Sequence, residues 1–217
     1  IDPRMATVDS DRYADKRFTQ IPELNTHKAS PEWLEQWEKY SLRCGKSVDG
    51  LTGFTEAVIA REIAANLPDG STLFVSSSRP IRDLEGFAAP RAGVTTHANR
   101  GLAGIDGNIS TALGIACASK QTFAVLGDLS FLHDLTGLIH REEINCAFIV
   151  INNDGGGIFS TLPQRGVDGF ESVFGTPHGL DPAAIAAAMG ISASTISSVD
   201  ELKKILKAPV KGVSITV

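Results

Sequence analysis

One carboxylate, one carboxamide and a run of glycines set the chemistry open to this sequence. Asp128 follows Gly127 at the end of the apolar run Thr122-Phe-Ala-Val-Leu126, and Asn152-Asn153-Asp154-Gly155 ends a second apolar run, Ala147-Phe-Ile-Val-Ile151. Asp128 offers a carboxylate, Asn153 a side-chain carbonyl, and Gly155 a backbone carbonyl that can come close because no side chain intrudes. Hard oxygen donors of this kind suit Mg2+, which shares its shell with waters and phosphate oxygens. Leu129 and Ser130 begin a helix, where free N–H groups and the helix dipole favour a phosphate. Gly-Asp and Asn-Asp-Gly are each ordinary turn signals. Paired at two strand ends one crossover apart, they read as a site for a metal-bound diphosphate.

The elements that must position these residues follow from the apolar pattern. Neither run alternates with polar residues, which suits strands buried on both faces of a parallel sheet. A crossover helix expected over Phe131–Ile139 would join them as a βαβ unit, with both C-terminal ends on the ligand-binding side of the sheet. Further strands are expected over residues 71–76, 93–97, 195–198 and 212–217. Helices are expected over 31–42, with Ser30 as cap and Pro31 in the first turn, over 55–66, over 109–119, from the cap Asp181 to Met189, and from the cap Asp200 to Lys207. Residues 45–53 read as a Gly-rich loop, and 164–178 as a long loop of the kind that forms lids. Trp33, Leu34, Trp37 and Tyr40 recur at helical spacing and read as packing. The fold class expected is α/β: a doubly wound, mostly parallel sheet of about six strands with helices on both faces. Ile1-Asp2-Pro3-Arg4 reads as a tag scar and the rest of 1–30 as an extended linker, which leaves 31–217 as one domain.

The 217 residues are 42% hydrophobic and 21% charged, with a net charge of -5, a composition that fits a globular domain with a good core. The acidic balance speaks against nucleic acid as a partner, and no apolar run is long enough to cross a bilayer. The polar, charged start has no signal-peptide character. Cys44, Cys117 and Cys146 lack metal-ligand spacing; Cys117 and Cys146 read as core residues, and the chain as cytoplasmic. Gly101, Gly104 and Gly107 fall at every third residue, which is not the dinucleotide fingerprint. The pair His133-Asp134 reads as structural.

As a set, Asn99-Arg100-Gly101, Gly104-Ile105-Asp106-Gly107, Gly127-Asp128-Leu129-Ser130, the stretch Asn152 to Ser160 and Phe174-Gly175-Thr176-Pro177-His178 resemble the thiamine-diphosphate enzymes. Within them the set is similar to the SEPHCHC synthases of menaquinone biosynthesis. The match is close from Leu73 to His178 and loose elsewhere. Leu129 stands where most of the wider family has the third residue of Gly-Asp-Gly.

The resemblance implies thiamine diphosphate and Mg2+ (or Mn2+) as cofactors, with Asp128, Asn153 and Gly155 as metal ligands. It implies cofactor contacts from Gly104, Ile105, Gly127, Asp128, Leu129, Ser130, Asn153, Gly155, Gly156 and Ile158. It implies substrate contacts from Ser78, Arg82, Arg100, Ile158, Phe159 and Leu162. The reaction implied is decarboxylation of 2-oxoglutarate and addition of the succinyl-semialdehyde unit to isochorismate. The family's activating glutamate belongs to a separate pyrimidine-binding domain on a partner subunit. Glu142 and Glu143 sit at the wrong end of the crossover to replace it. The chain is therefore expected to be a C-terminal fragment with half an active site, inactive alone, self-associating as a dimer or tetramer through that site when full length. Two other readings are a different carboligase or decarboxylase of the same cofactor class, such as an acetolactate-synthase relative, and a phosphate-binding module without catalysis.

Overall fold

The computed structural model describes residues 18–23, 28–99, 101, 104–139 and 143–217. Its strands are β1 (Thr72–Val75), β2 (Thr95–His97), β3 (Thr122–Gly127), β4 (Cys146–Ile151), β5 (Ser192–Ser194) and β6 (Val213–Thr216). They form one six-stranded sheet in the order β2-β1-β3-β4-β6-β5, with every pairing parallel. The α/β class expected from the apolar runs is therefore the one observed. The chain divides into two compact units, up to Lys46 and Ser47–Val217. The whole sheet lies in the second.

The two faces of the sheet are covered by different helices because side chains alternate along each strand. Phe74, Ala124, Leu126, Phe148 and Val150 pack with Ile109, Leu113, Phe131 and Ala186, which come from α4 (Asn108–Ala116), α5 (Asp128–His133) and α6 (Pro182–Ala188). Leu73, Val75, Phe123, Val125 and Ile149 pack with Ile63, Leu67, Leu202 and Leu206. Those belong to or flank α2 (Glu56–Asn66) and α7 (Val199–Lys207), on the face that also carries α3 (Arg79–Phe87). Both faces are dry, which is why the central strands read as continuous apolar runs.

Four boundaries differ from expectation. The N-terminal helix α1 runs over Pro31–Asp49, through the stretch read as a Gly-rich loop. A lone glycine costs a helix only about 1 kcal/mol, which leaves Gly45 tolerable inside it. None of its residues is buried, and Trp33, Leu34, Trp37 and Tyr40 are each more than half exposed. The stripe read as packing therefore has no core among the described residues beyond the ring contact of Trp33 with Trp37 at 6.0 Å. The crossover helix starts earlier than expected, at Asp128, and stops at His133, giving way to a 3-10 turn over Leu135–Ile139. Asp134 leaves the helical path to accept bonds from Ser110 N (2.7 Å) and Ser110 Oγ (3.2 Å). Strand β5 occupies Ser192–Ser194 rather than 195–198. The cap of α7 is Ser198 rather than Asp200, because Ser198 Oγ accepts from Glu201 N and donates to Glu201 Oε2, which also accepts from Ser197 N, a variant of the capping box.

What positions the site is the order of connections. The chain leaves β1 for β2 on one side, then returns to place β3 on the other. Where the winding reverses, the helices that follow β1 and β3 depart to opposite faces and leave a crevice at the strands' C-terminal ends. β4 lies beside β3 in register Gly127↔Ile151, so the ends bearing Asp128 and Asn153 are neighbours.

Candidate functional site

A cavity of about 180 Å³ fills that crevice. It is lined by Ser77–Pro80 after β1, by Ile105, by Gly127–Ser130 after β3, and by Asn153 and Gly155–Phe159 after β4. A larger, mainly apolar cleft of about 330 Å³ opens where α2 and α7 flank the ends of β4 and β6; it contains neither Asp128 nor the glycine run.

Asp128 is the centre of the crevice. It is 2% exposed. Its Oδ1 accepts from Leu129 N at 2.7 Å, and its Oδ2 accepts from Gly155 N at 2.8 Å. His178 Nε2 lies 3.2 Å from the same Oδ2. Leu180 N donates to His178 Nδ1 at 2.9 Å, so in the neutral ring the proton sits on Nε2 and points at Asp128. A carboxylate has about four lone-pair positions; these three donors leave one on Oδ1.

The glycines after Asn153 are a steric requirement. Gly155 has φ +135°, and a Cβ there would overlap the carbonyl oxygen of Gly175; one on Gly156 would overlap that of Phe174. Only bare backbone lets the segment after 164 fold back this closely. It does so with Gly156 N donating to Gly175 O at 2.7 Å. Phe159 meets Phe174 at 5.4 Å, and Phe174 meets Phe170 at 5.8 Å. Asp154 Oδ1 accepts from Gly179 N (2.7 Å) and His178 N (3.1 Å). The Gly179 bond holds its carboxyl below the usual range. The stretch expected to be loop thus includes a π-helical turn over Glu171–Gly175, and its end brings His178 onto Asp128.

Two further sets of side chains frame the cavity. Ser130 Oγ donates to Ile105 O at 2.9 Å and accepts from Asn108 Nδ2 at 2.8 Å. This ties the loop of Gly104 and Ile105 to the start of α5. On the opposite side Asn153 Nδ2 donates to Glu56 Oε1 at 2.7 Å, Glu56 Oε2 pairs with Arg79 at 2.6 Å, and Arg79 pairs with Asp83 at 3.0 Å. Burial pushes the Asp83 carboxyl up, and the neighbouring Glu56 charge adds to this, against the pull of Arg79.

Of the residues singled out in the sequence, Ser78, Ile105, Gly127, Asp128, Leu129, Ser130, Asn153, Gly155, Gly156, Ile158 and Phe159 line one cavity. Ser78 takes a left-handed φ of 76°, a strained conformation of the kind that clusters at functional sites. Arg82 and Leu162 do not line it: Arg82 is exposed and donates to Ser78 O at 2.8 Å, and Leu162 follows the 3-10 turn Gly157–Thr161 and is 37% exposed. Arg100 and Glu142 lie outside the described residues. Glu143 precedes β4, at the edge away from the cavity. His133 is exposed, and Asp134 accepts from Ser110, so only Asp134 has a structural contact. Cys117 is exposed rather than core, because it caps the end of α4. Cys146 is buried, and burial pushes its thiol up to about 12. Sequence reasoning missed Arg79, Glu56 and the approach of His178 to Asp128.

The donor set suits a small hard cation with a diphosphate. Among the described residues no cluster of three His, Cys, Asp or Glu side chains could hold a metal, so a cation here would rest on Asp128 with amide and carbonyl oxygens. At Gly155 and Gly156 the room a Cβ would take is occupied by the carbonyl oxygens of Gly175 and Phe174. No described helix is long and apolar enough to cross a membrane.

Comparison with known proteins gives a consistent picture. The family described as thiamine pyrophosphate enzyme, C-terminal TPP binding domain, matches residues 84–217. The chain is 46% identical over 160 residues to a 2-succinyl-5-enolpyruvyl-6-hydroxy-3-cyclohexene-1-carboxylate (SEPHCHC) synthase of Thermobifida fusca, covering 70% of this chain and 29% of that relative. It is 36% identical over 225 aligned positions to the synthase of the same name in Paenarthrobacter aurescens, covering 96% and 40%. The chain thus spans about a third of the length of these curated relatives. Among solved structures, benzoylformate decarboxylase of Polynucleobacter necessarius superimposes with a TM-score of 0.60 at 22% identity, over 74% of this chain and 32% of that one, a likeness of fold.

Proposed function

This chain belongs to the thiamine pyrophosphate enzymes, as their C-terminal TPP-binding domain, and from that premise we propose that it is the cofactor-binding part of a SEPHCHC synthase. The full-length enzyme would decarboxylate 2-oxoglutarate and add the succinyl-semialdehyde unit to isochorismate in menaquinone biosynthesis. The observation that carries the reading is the bond between Gly155 N and Asp128 Oδ2 at 2.8 Å, which draws the two strand ends into one oxygen-rich site.

When bound, thiamine diphosphate supplies the electron sink that decarboxylation of a 2-oxo acid requires. The chain's own residues bind, orient and shield. Asp128, Asn153 and the Gly155 carbonyl hold Mg2+ or Mn2+. Gly127, Leu129, Ser130 and Gly156 flank the diphosphate, and Gly104 and Ile105 meet the cofactor's other end. Ile158 and Phe159, which line the cavity, exclude water from the reacting centre, and Leu162 would join them only by moving onto substrate. Ser78, Arg82 and Arg100 hold substrate carboxylates, a task for which the guanidinium fork is suited. Arg79 lines the cavity but is engaged by Glu56 and Asp83. The activating glutamate would come from another domain across a self-association interface, in a cytoplasmic enzyme.

The test uses the intact gene product. 2-Oxoglutarate consumption should require isochorismate, thiamine diphosphate and Mg2+, each omitted in turn. Acceptance of pyruvate in place of 2-oxoglutarate would move the enzyme to an acetolactate-synthase-like activity. Turnover by the 217-residue chain alone would overturn the half-site reading.

A further inference from the structure

Glu56 stands behind Asn153. It is the first residue of α2, beside the cap Thr55, and 97 positions separate it from the amide it contacts. A carboxylate can only accept, so Glu56 Oε1 at 2.7 Å requires the Asn153 NH2 to face it. The carbonyl Oδ1 is then the atom left for the cavity. Donation to a carboxylate also draws charge toward Oδ1 and makes it a better ligand for a hard cation, as outer-shell carboxylates do for other metal ligands.

The contact is held from both sides. A Cβ on Gly157 would lie 2.9 Å from Asn153 Cγ, so the amide lies between a bare backbone and Glu56. Arg79 fixes Glu56 at 2.6 Å and is itself gripped by Asp83 through Nε (3.1 Å) and Nη2 (3.0 Å). The side chains of Glu56 and Arg79 are 27% and 23% exposed, and that of Asp83 9%, so solvent competes weakly for the bonds of Arg79, whereas Asn153 itself is exposed. Arg79 directly follows the strained Ser78. One chain of contacts therefore ties the β1 edge to the ligand on the β4 edge.

We propose that Glu56 is a positioning residue for the cofactor's metal: it orients and polarises the Asn153 amide so that Oδ1 meets the cation, and Arg79 holds it in place. The role rests on the metal reading of Asp128, Asn153 and Gly155 given above. Binding of Mn2+ to the 217-residue chain with thiamine diphosphate, read by the paramagnetic signal of free Mn2+, tests it without turnover. Glu56→Ala should weaken Mn2+ binding about 10- to 100-fold with unchanged far-ultraviolet circular dichroism. Glu56→Gln keeps an acceptor for the amide and should fall between. In an Asn153→Ala background, Glu56→Ala or Glu56→Gln should add nothing, since the effect passes through the amide; a purely structural role would add in full. A folded Glu56→Ala chain that binds Mn2+ within twofold of the unsubstituted one overturns the role, as does full additivity with Asn153→Ala. Should Glu56→Ala not fold, the Glu56→Gln cycle decides by the same criteria. Loss of binding in Asp128→Ala with Glu56→Ala unaffected would remove only this inference. Binding that survives Asp128→Ala, or none by the unsubstituted chain, would remove the metal reading as well.

Discussion

Replacing Asp128 by Asn separates the carboxylate's structural work from the cation binding proposed for it. Asp128 is 2% exposed and accepts Leu129 N at 2.7 Å on one oxygen, and Gly155 N at 2.8 Å and His178 Nε2 at 3.2 Å on the other. An amide of the same volume turns one oxygen into a donor. Facing Leu129 N, the new NH2 orphans one part-buried donor; facing Gly155 N, it orphans that buried donor and His178 Nε2. His178 cannot relieve the second case by shifting its proton, because Nδ1 would then oppose Leu180 N at 2.9 Å. The first orientation wins, and leaving the part-buried Leu129 N–H unsatisfied costs about 1–3 kcal/mol. For a chain of this size that is a fall in Tm of roughly 2–4 °C per kcal/mol. Thermal unfolding of Asp128→Asn without metal should therefore show a loss of about 2 kcal/mol. With Mn2+ and thiamine diphosphate at a hundredfold excess over Kd, the unsubstituted chain should gain about 2.7 kcal/mol, and the variant nothing. A metal-free variant within about 0.5 kcal/mol of the parent, the spread of neutral surface changes, would refute the three-donor account.

Gly155→Ala forces a Cβ onto the Gly175 carbonyl at φ +135°, which costs about 1–3 kcal/mol in backbone strain alone. Hydrogen exchange at the Gly156 amide should speed up as its 2.7 Å bond to Gly175 O is lost, and unchanged protection would count against the cradle. With its thiol pushed up to about 12, Cys146 should resist a thiol reagent at neutral pH while the exposed Cys44 and Cys117 react; mass spectrometry that finds the folded chain labelled at all three would contradict this burial. The Ser198 hydroxyl, with help from Ser197 N, lowers the Glu201 carboxyl below its ordinary 4.5. A folded value below the unfolded one gives stability that is present above pH 4.5 and fades as pH falls through the folded value. Ser198→Ala should cost about 1 kcal/mol at neutral pH, and Glu201→Gln should differ from the parent there but converge with it in acid. A pH-independent difference would sink the assignment.

How far the fold can be read from sequence depends on how much each element buries. β3 and β4 are buried along nearly their whole length, so their apolar runs mark them within a residue or two. β5 is Ser-Ala-Ser at a sheet edge and at most half-buried. It carries no apolar signal, and the β-branched pair Thr195-Ile196 beside it attracts the assignment instead. The start of α7 shows the same limit on a smaller scale. Asp200 and Ser198 are both capable caps, and Glu201 decides between them by bonding back to Ser198, a detail visible in the Ser-x-x-Glu spacing. α1 fails for the opposite reason: its aromatic stripe has the period of a packed helix, yet no residue in it is buried.

The site divides along the same physical line. A parallel sheet brings every strand's C-terminal end to one edge, so residues just after a strand are legible as neighbours: Ser78 after β1, Asp128 after β3, Asn153 and Gly155 after β4. Even Arg79, which lines the cavity where Arg82 does not, lies on the expected turn, and only the pitch of one helix turn separates it from the arginine the sequence suggests. Glu56 and His178 follow no such rule. Glu56 sits at the start of a helix that precedes the sheet, and His178 at the end of the segment that begins near Gln164 and returns to the cavity; they reach Asn153 and Asp128 across 97 and 50 positions. Topology fixes where strand ends lie, but which helix start or returning loop meets them is decided by packing, here the room left by Gly155, Gly156 and Gly157. The glycine run is legible as a place where something comes close. Its partner is the chain's own Phe174–Thr176 backbone, and that close approach brings His178 onto Asp128.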